Sequence, residues 1–237
     1  APKLTLPSSG SQTSWKVFSV PHTLPTNQVE TVFSSLGEAD KTKWRLIRYT
    51  ENPDPAWIEY PSSQLSTLEQ GKGYFINSKG GETIVFNEAI APTNTQGDLF
   101  EMTLKDGWNQ VGNPYTLPIK WEEVRSFNDV GTIVGELHMF NSGNYITGND
   151  LLPMQGGFVH VESASDITLE IPFVGQTEGG GRKGYKDLST DISADEWSLK
   201  INLQQAHLNN ELGSIGMALD ASPSFDIYDG VTPPRFF

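Results

Sequence analysis

Twice in this chain a tryptophan opens a short alternating run that a proline closes six positions later: Trp15-Lys16-Val17-Phe18-Ser19-Val20-Pro21 and Trp108-Asn109-Gln110-Val111-Gly112-Asn113-Pro114. Each run is followed by a short helical pattern, several strand patterns and a glycine-aromatic strand. That last echo is Gly73-Tyr74-Phe75-Ile76 in the first copy and Gly157-Phe158-Val159-His160 in the second. Self-similarity at a long period means one supersecondary unit used twice, so it constrains the fold before any single element does.

In the first copy Val29, Val32, Phe33 and Leu36 fall on one face of a short helix that Thr26 or Asn27 would cap and Gly37 would close. Trp44–Tyr49 and Ala56–Tyr60 read as a hairpin around Asn52-Pro53-Asp54-Pro55. Alternation places Trp57 and Glu59 on one face, Ile58 and Tyr60 on the other. A second hairpin, Gly73–Ser78 with Glu82–Asn87, is predicted to turn at Lys79-Gly80-Gly81. In the second copy the Asp106-Gly107 turn predicts a hairpin of Leu99–Leu104 with Trp108–Gly112. A helix is expected near Lys120–Arg125. Strands are expected at 132–140, near Tyr145, at 157–162 and at 167–171, with a turn at Asn141-Ser142-Gly143-Asn144.

The expected fold is therefore mainly β: two tandem related β-rich modules, each with one short helix, followed by a partial β-sandwich-like segment. Residues 1–14 are Pro, Ser, Gly and Thr rich and read as a linker. The modules span 15–91 and 99–172. A Gly-rich linker at 173–186 contains Gly179-Gly180-Gly181. Residues 187–237 read as the start of a third β segment, with strands at Trp197–Leu203 and Leu212–Leu219. Two strands do not make a stable sheet domain. Either this segment packs on the second copy or it is an incomplete domain, and the apolar Phe236-Phe237 end fits a chain interrupted inside one.

The formal net charge of −13 argues against nucleic acid, whose backbone is bound by Lys and Arg. No stretch approaches the roughly 20 apolar residues of a membrane span, so no membrane insertion is expected. With no cysteine in the chain, disulfides, thiolate metal sites and cysteine nucleophiles are excluded.

The stretches Trp44-Arg45-Leu46-Ile47-Arg48-Tyr49, Gly71-Lys72-Gly73-Tyr74-Phe75-Ile76 and above all Gly107-Trp108-Asn109-Gln110-Val111-Gly112-Asn113-Pro114-Tyr115 resemble segments that recur in large secreted and surface proteins exported by the type IX secretion system. The tail with Asp226, Asp229, Pro233, Pro234 and Arg235 is similar to the stretch C-terminal to those segments in such proteins. The resemblance covers most of the chain. It implies an extracellular or outer-cell-surface setting and a longer parent whose other domains are this chain's first partners. Such proteins generally end in a β-sandwich sorting domain, which nothing in this sequence resembles.

Candidate chemistry is sparse. His22, His138, His160 and His207 show no metal-ligand spacing, though His138 and His160 lie in predicted strands. Neither a nucleophile elbow nor a phosphate loop is present. Glu122 and Glu123 are adjacent on a helix, where neighbours point apart, and read as a solvated face. Asp220, Asp226 and Asp229, on a turn-rich stretch, are the candidate Ca²⁺ ligands and the only cofactor site considered; aspartates are also common in turns for their own backbone hydrogen bonds. Trp57, Tyr60 and Trp44 are the candidate ligand contacts, as flat faces for sugar rings, Trp57 first among them; strand aromatics are more often core, and the paired repeat tryptophans Trp15 and Trp108 are expected to be structural and buried. The expected function is a non-catalytic accessory or adhesion-type module of a larger secreted or surface protein, meeting a glycan or another surface protein. The alternative is a carbohydrate-binding module attached to a polysaccharide-degrading enzyme.

Overall fold

The computed structural model describes residues 1–87, 89–90, 99–172, 197–205, 208–217 and 233–234. In the first module the chain forms β1 (Lys3–Thr5), β2 (Lys16–Ser19), helix α1 (Val29–Val32) continued by a 3-10 turn at Ser34–Leu36, β3 (Trp44–Thr50), β4 (Ala56–Glu59), β5 (Gly73–Ser78) and β6 (Thr83–Val85). The second follows with β7 (Phe100–Leu104), β8 (Gly107–Gly112), β9 (Ile119–Lys120), α2 (Trp121–Phe127), β10 (Leu137–Asn141), β11 (Asn144–Gly148), β12 (Asp150–Leu151), β13 (Gly156–Val161) and β14 (Ile167–Ile171).

The duplication holds at the level of topology. One sheet runs β2-β5-β3-β4 and the other β8-β13-β10-β11, so the long strands of each module take the same spatial order. Each module also carries a two-stranded ribbon, β1-β6 and β7-β14, made of its first and last strands. A short pair, β9-β12, occurs in the second.

Those ribbons correct two expected hairpins. β7 pairs with β14, not with β8, and β6 pairs with β1, not with β5. The reason is burial. Met102 and Leu104 of β7, with Leu169 and Ile171 of β14, close the second module's core. Leu4 and Leu6, with Ile84 and Phe86, do the same for the first. Residues 1–14 are consequently not a linker throughout, because Leu4 is 1% exposed and its strand is part of the module. At Asp106-Gly107 the chain does turn, with Gly107 at φ 83. It leaves the ribbon there and enters the other sheet.

Each core lies between its four-stranded sheet and a cover of ribbon and helix. The helices are short. α1 starts at Gln28 with no side-chain cap, and Asn27 instead donates to the Leu68 carbonyl, so neither expected cap is used. Gly37, at φ 74, does end the segment. α2 is started by a distant residue: Asn149 accepts from the backbone N–H groups of Trp121 and Glu122, at 2.8 Å each. The predicted strand at 132–140 begins only at Leu137. The turn at 141–144 is a tight hairpin, with Ser142 at φ 50 and Gly143 at φ 93.

Strand register fixes which residues correspond. Val17 pairs with Phe75 and Gln110 pairs with Phe158, so aligning Trp15 with Trp108 places Phe75 on Phe158. Gly73 then falls on Gly156, one position from the expected Gly157. The Gly156-Gly157 doublet made the two registers look alike in sequence.

Beyond the modules, β15 (Trp197–Gln205) and β16 (Leu208–Met217) form an antiparallel hairpin with a register shift between Ile201 and Asn202. β16 lies against β11, and the Tyr145 hydroxyl donates to the Pro234 carbonyl at 3.0 Å. Of the two expectations for this segment, these contacts support packing on the second module.

Candidate functional site

The inner faces of the two sheets meet in a third core that belongs to both modules: Trp15, Val17, Ile47, Tyr49 and Phe75 against Tyr145 and Phe158, with Trp57, Trp108 and Phe140 at its margin. Its contacts are reciprocal. Phe75 meets Phe140 at 5.0 Å between ring centroids, and the equivalent pair, Phe158 and Tyr49, meets at 5.9 Å. The backbone shows the same exchange: Phe18 bridges to Gln155, and Lys72 to Val111, their equivalents. Ser19 N–H donates to Met154 O at 3.2 Å, and Gly112 N–H to Gly71 O at 2.9 Å. Reciprocity of this kind defines an approximate two-fold axis within one chain.

Close approach at that axis explains the motif glycines. A Cβ on Gly73 would lie 2.6 Å from Val111 O, and one on Gly112 would lie 2.5 Å from Lys72 O. Gly71 and Met154, at equivalent positions, share left-handed backbone with φ 76 and φ 62.

Every polar residue of the Gly107–Tyr115 motif is engaged in holding the fold. Asn109 accepts from Lys105 N–H at 2.8 Å and donates to the Lys105 and Gly107 carbonyls, pinning the turn between ribbon and sheet. Gln110 accepts from Tyr49 N–H at 2.7 Å across the axis. Asn113, fully buried, donates to Leu117 O and Leu151 O and accepts from Tyr115 N–H. The Tyr115 hydroxyl donates to Ile171 O at 2.7 Å. Near the axis Glu51 holds both Arg48 and Lys72, at 2.9 and 3.3 Å.

The three candidate ligand contacts do not form one platform. Trp44 is 5% exposed, stacked between Phe33 and Tyr60 at 5.7 and 5.5 Å in the first core. Tyr60 is half-buried over it. Trp57 lies on the opposite face, as strand alternation required, packed edge-on to Phe75 and Phe158. Trp57 is half-buried and borders the exposed 53–56 turn. Trp108, expected to be buried like Trp15, is also half-buried, whereas Trp15 is 6% exposed with Arg45 over its ring. It too packs on Phe158, at 6.3 Å.

His138 and His160 flank Trp108 at 5.3 and 5.1 Å, so the predicted approach of these two strands brings both imidazoles to one indole. Burial pushes the His160 pKa down, while Glu162 and Asp106 oppose the shift. The resulting rim sets the half-buried Trp57 and Trp108 around Phe158, with two imidazoles against Trp108. Sequence reasoning chose Trp57 from its turn but missed Trp108, whose repeat position marked it as core.

Asp220, Asp226 and Asp229 lie outside the described residues, as does His207. Among the described residues, no group of three or more His, Asp or Glu side chains is gathered as a metal site. Glu122 is exposed and Glu123 sits 3.7 Å from Lys120. No described helix is long and apolar enough to cross a membrane. Searches of protein-family models, curated proteins and solved structures found no match to this chain.

Proposed function

We propose that this chain is a non-catalytic accessory or adhesion-type module of a larger secreted or surface protein, working outside the cell beside other domains of the same parent. The observation that carries this reading is the shared aromatic core. It makes the two modules one stiff body, suited to spacing and presenting rather than to opening around a substrate. The motif's polar side chains are spent on backbone groups of that body. The acidic surface suits neutral or basic partners. The test compares intact chain with a Phe158→Ala variant in binding to surface preparations of cells that make the parent, alongside a broad hydrolase screen. Turnover by the intact chain overturns the reading.

A second reading, a carbohydrate-binding module, is favoured by one observation: Trp57 and Trp108, both half-buried, pack against the same ring, Phe158. Flat aromatic surfaces of this kind stack on the apolar faces of sugars. A glycan array decides it. Binding that is lost in Trp57→Ala supports the sugar reading, and an array without signal removes it.

A further inference from the structure

On the far side of the first module, away from the shared core, the α1 segment and β6 face each other across a cleft of about 360 Å³. One wall is a continuous stretch of chain, Thr83 through Asn87; the other carries Val32, Ser34 and Ser35. Among the described residues, no charged side chain lines it.

Register shows which backbone groups the cleft receives. Leu6 N–H donates to Glu82 O at 2.8 Å and Phe86 N–H to Pro2 O at 3.0 Å, so Glu82, Ile84 and Phe86 turn their backbone toward β1. Antiparallel alternation points the groups of Thr83 and Val85 the other way. Val85 O accepts from Asn87 N–H at 3.1 Å. Among the described residues, the Val85 N–H and the Thr83 N–H and carbonyl have no partner on that edge.

The second module shows what belongs there. Leu169 and Ile171 occupy the places of Ile84 and Phe86, so Glu170 corresponds to Val85. Asn128, at the end of α2, donates to Glu170 O and accepts from Glu170 N–H, at 2.8 Å each. A side-chain amide thus stands in for a residue of a neighbouring strand. The first module's helix is shorter and is followed by the hydroxyls of Ser34 and Ser35, with no such amide.

We propose that the first module's cleft takes an extended, neutral or basic peptide segment of another protein, added to β6 as a further strand. A strand residue presents its N–H and carbonyl together on one edge, as the Asn128 amide does, at the spacing that successive edge groups of β6 repeat. Backbone bonds to an open edge supply affinity, and side-chain pockets supply choice. The uncharged lining, over the buried Ile84 and Phe86, selects small apolar and hydroxyl side chains. The chain's net charge of −13 disfavours acidic segments. This site is separate from the Trp57 rim, so glycan binding and peptide binding fail or succeed independently.

The test selects octapeptides from a random displayed library on the immobilised full chain, then measures amide hydrogen exchange with the selected peptide bound. The expected result is slowed exchange at Thr83 and Val85, and about tenfold weaker binding to Val85→Pro. Proline is tolerated at an outward-facing edge position, and thermal unfolding checks that the variant folds. If it does not fold, Val32→Trp, which fills the cleft from the other wall, takes its place. No enriched peptide, or one that leaves both amides unprotected or binds the altered cleft as tightly, overturns the proposal.

Discussion

Phe75 and Phe158 occupy the same position in the two modules and meet across their boundary, ring centroids 6.2 Å apart. Both are 0% exposed. Truncating either should remove a large ring from a core that both modules share. Phe158→Ala is expected to cost about 3–5 kcal/mol by denaturant unfolding. Intact chain should show the two modules unfolding together, and the variant should separate their transitions. Independent unfolding of the intact modules would contradict this account of the interface.

Gly71 and Gly37 separate crowding from backbone preference. Both have left-handed φ, 76 and 74. A Cβ on Gly71 would lie 2.5 Å from the Phe100 ring, whereas one on Gly37 meets nothing within 4 Å. Gly37→Ala should cost roughly 1–3 kcal/mol from backbone preference alone, since φ 74 with ψ −163 is a region that essentially only glycine adopts. Gly71→Ala should cost roughly 1–3 kcal/mol more, because the ring must move. Equal midpoint shifts would show that Phe100 yields freely.

Asn113 tests whether the recurrent motif is structural. Asn113→Ala leaves the buried Leu151 carbonyl and Tyr115 N–H, and the Leu117 carbonyl, without this partner, an expected loss of about 2–4 kcal/mol. Asn113→Asp should be no better, since an ionised carboxylate cannot donate to Leu117 O and Leu151 O. A wild-type melting temperature in either variant would count against the assignment.

Acid should weaken the fold before the carboxylates protonate. Burial lowers the His22 pKa from 6.5, as it does for His160, so the unfolded chain binds protons more readily than the folded one. The stability these groups contribute is complete above pH 6.5 and falls as pH drops toward their depressed folded values. Melting temperature should decline across that window. The decline should flatten in His22→Gln combined with His160→Gln. An unchanged slope in the double variant would assign the pH dependence to other groups.

Asn128→Ala should uncover the edge of β14. Amide exchange at Glu170 should accelerate, and global stability should fall by about 1–3 kcal/mol for the three lost hydrogen bonds, two to Glu170 and one to Val124 O. Unchanged exchange at Glu170 would show that another group shields that edge.

The repeat was legible because a proline follows both Trp15 and Trp108 by six positions, and strand alternation placed Trp57 and Tyr60 on opposite faces. Pairings distant in sequence were not legible. Asp106-Gly107 carries a strong local hairpin signal, yet burial of Met102 and Leu104 over the second core draws β7 to β14. Leu4 and Leu6 were hidden in a proline- and serine-rich stretch too short to show a period. Trp108 was misjudged because a repeated aromatic reads as core, while exposure depends on what covers each copy's ring: Arg45 lies over Trp15. The open edge at Val85 could be seen only by comparison with Glu170 and Asn128, a pair 42 residues apart whose proximity no local pattern announces.

The two-fold axis inside a single chain has an evolutionary consequence. In a dimer of identical separate chains, every substitution appears twice, so an edge opened in one subunit is opened in both. Here the halves are tethered, and each position mutates alone. One half can keep its outer strand sealed by Asn128 while the other leaves Val85 exposed. Tethering thus gives an assembly built on symmetry the freedom to carry one specialised face.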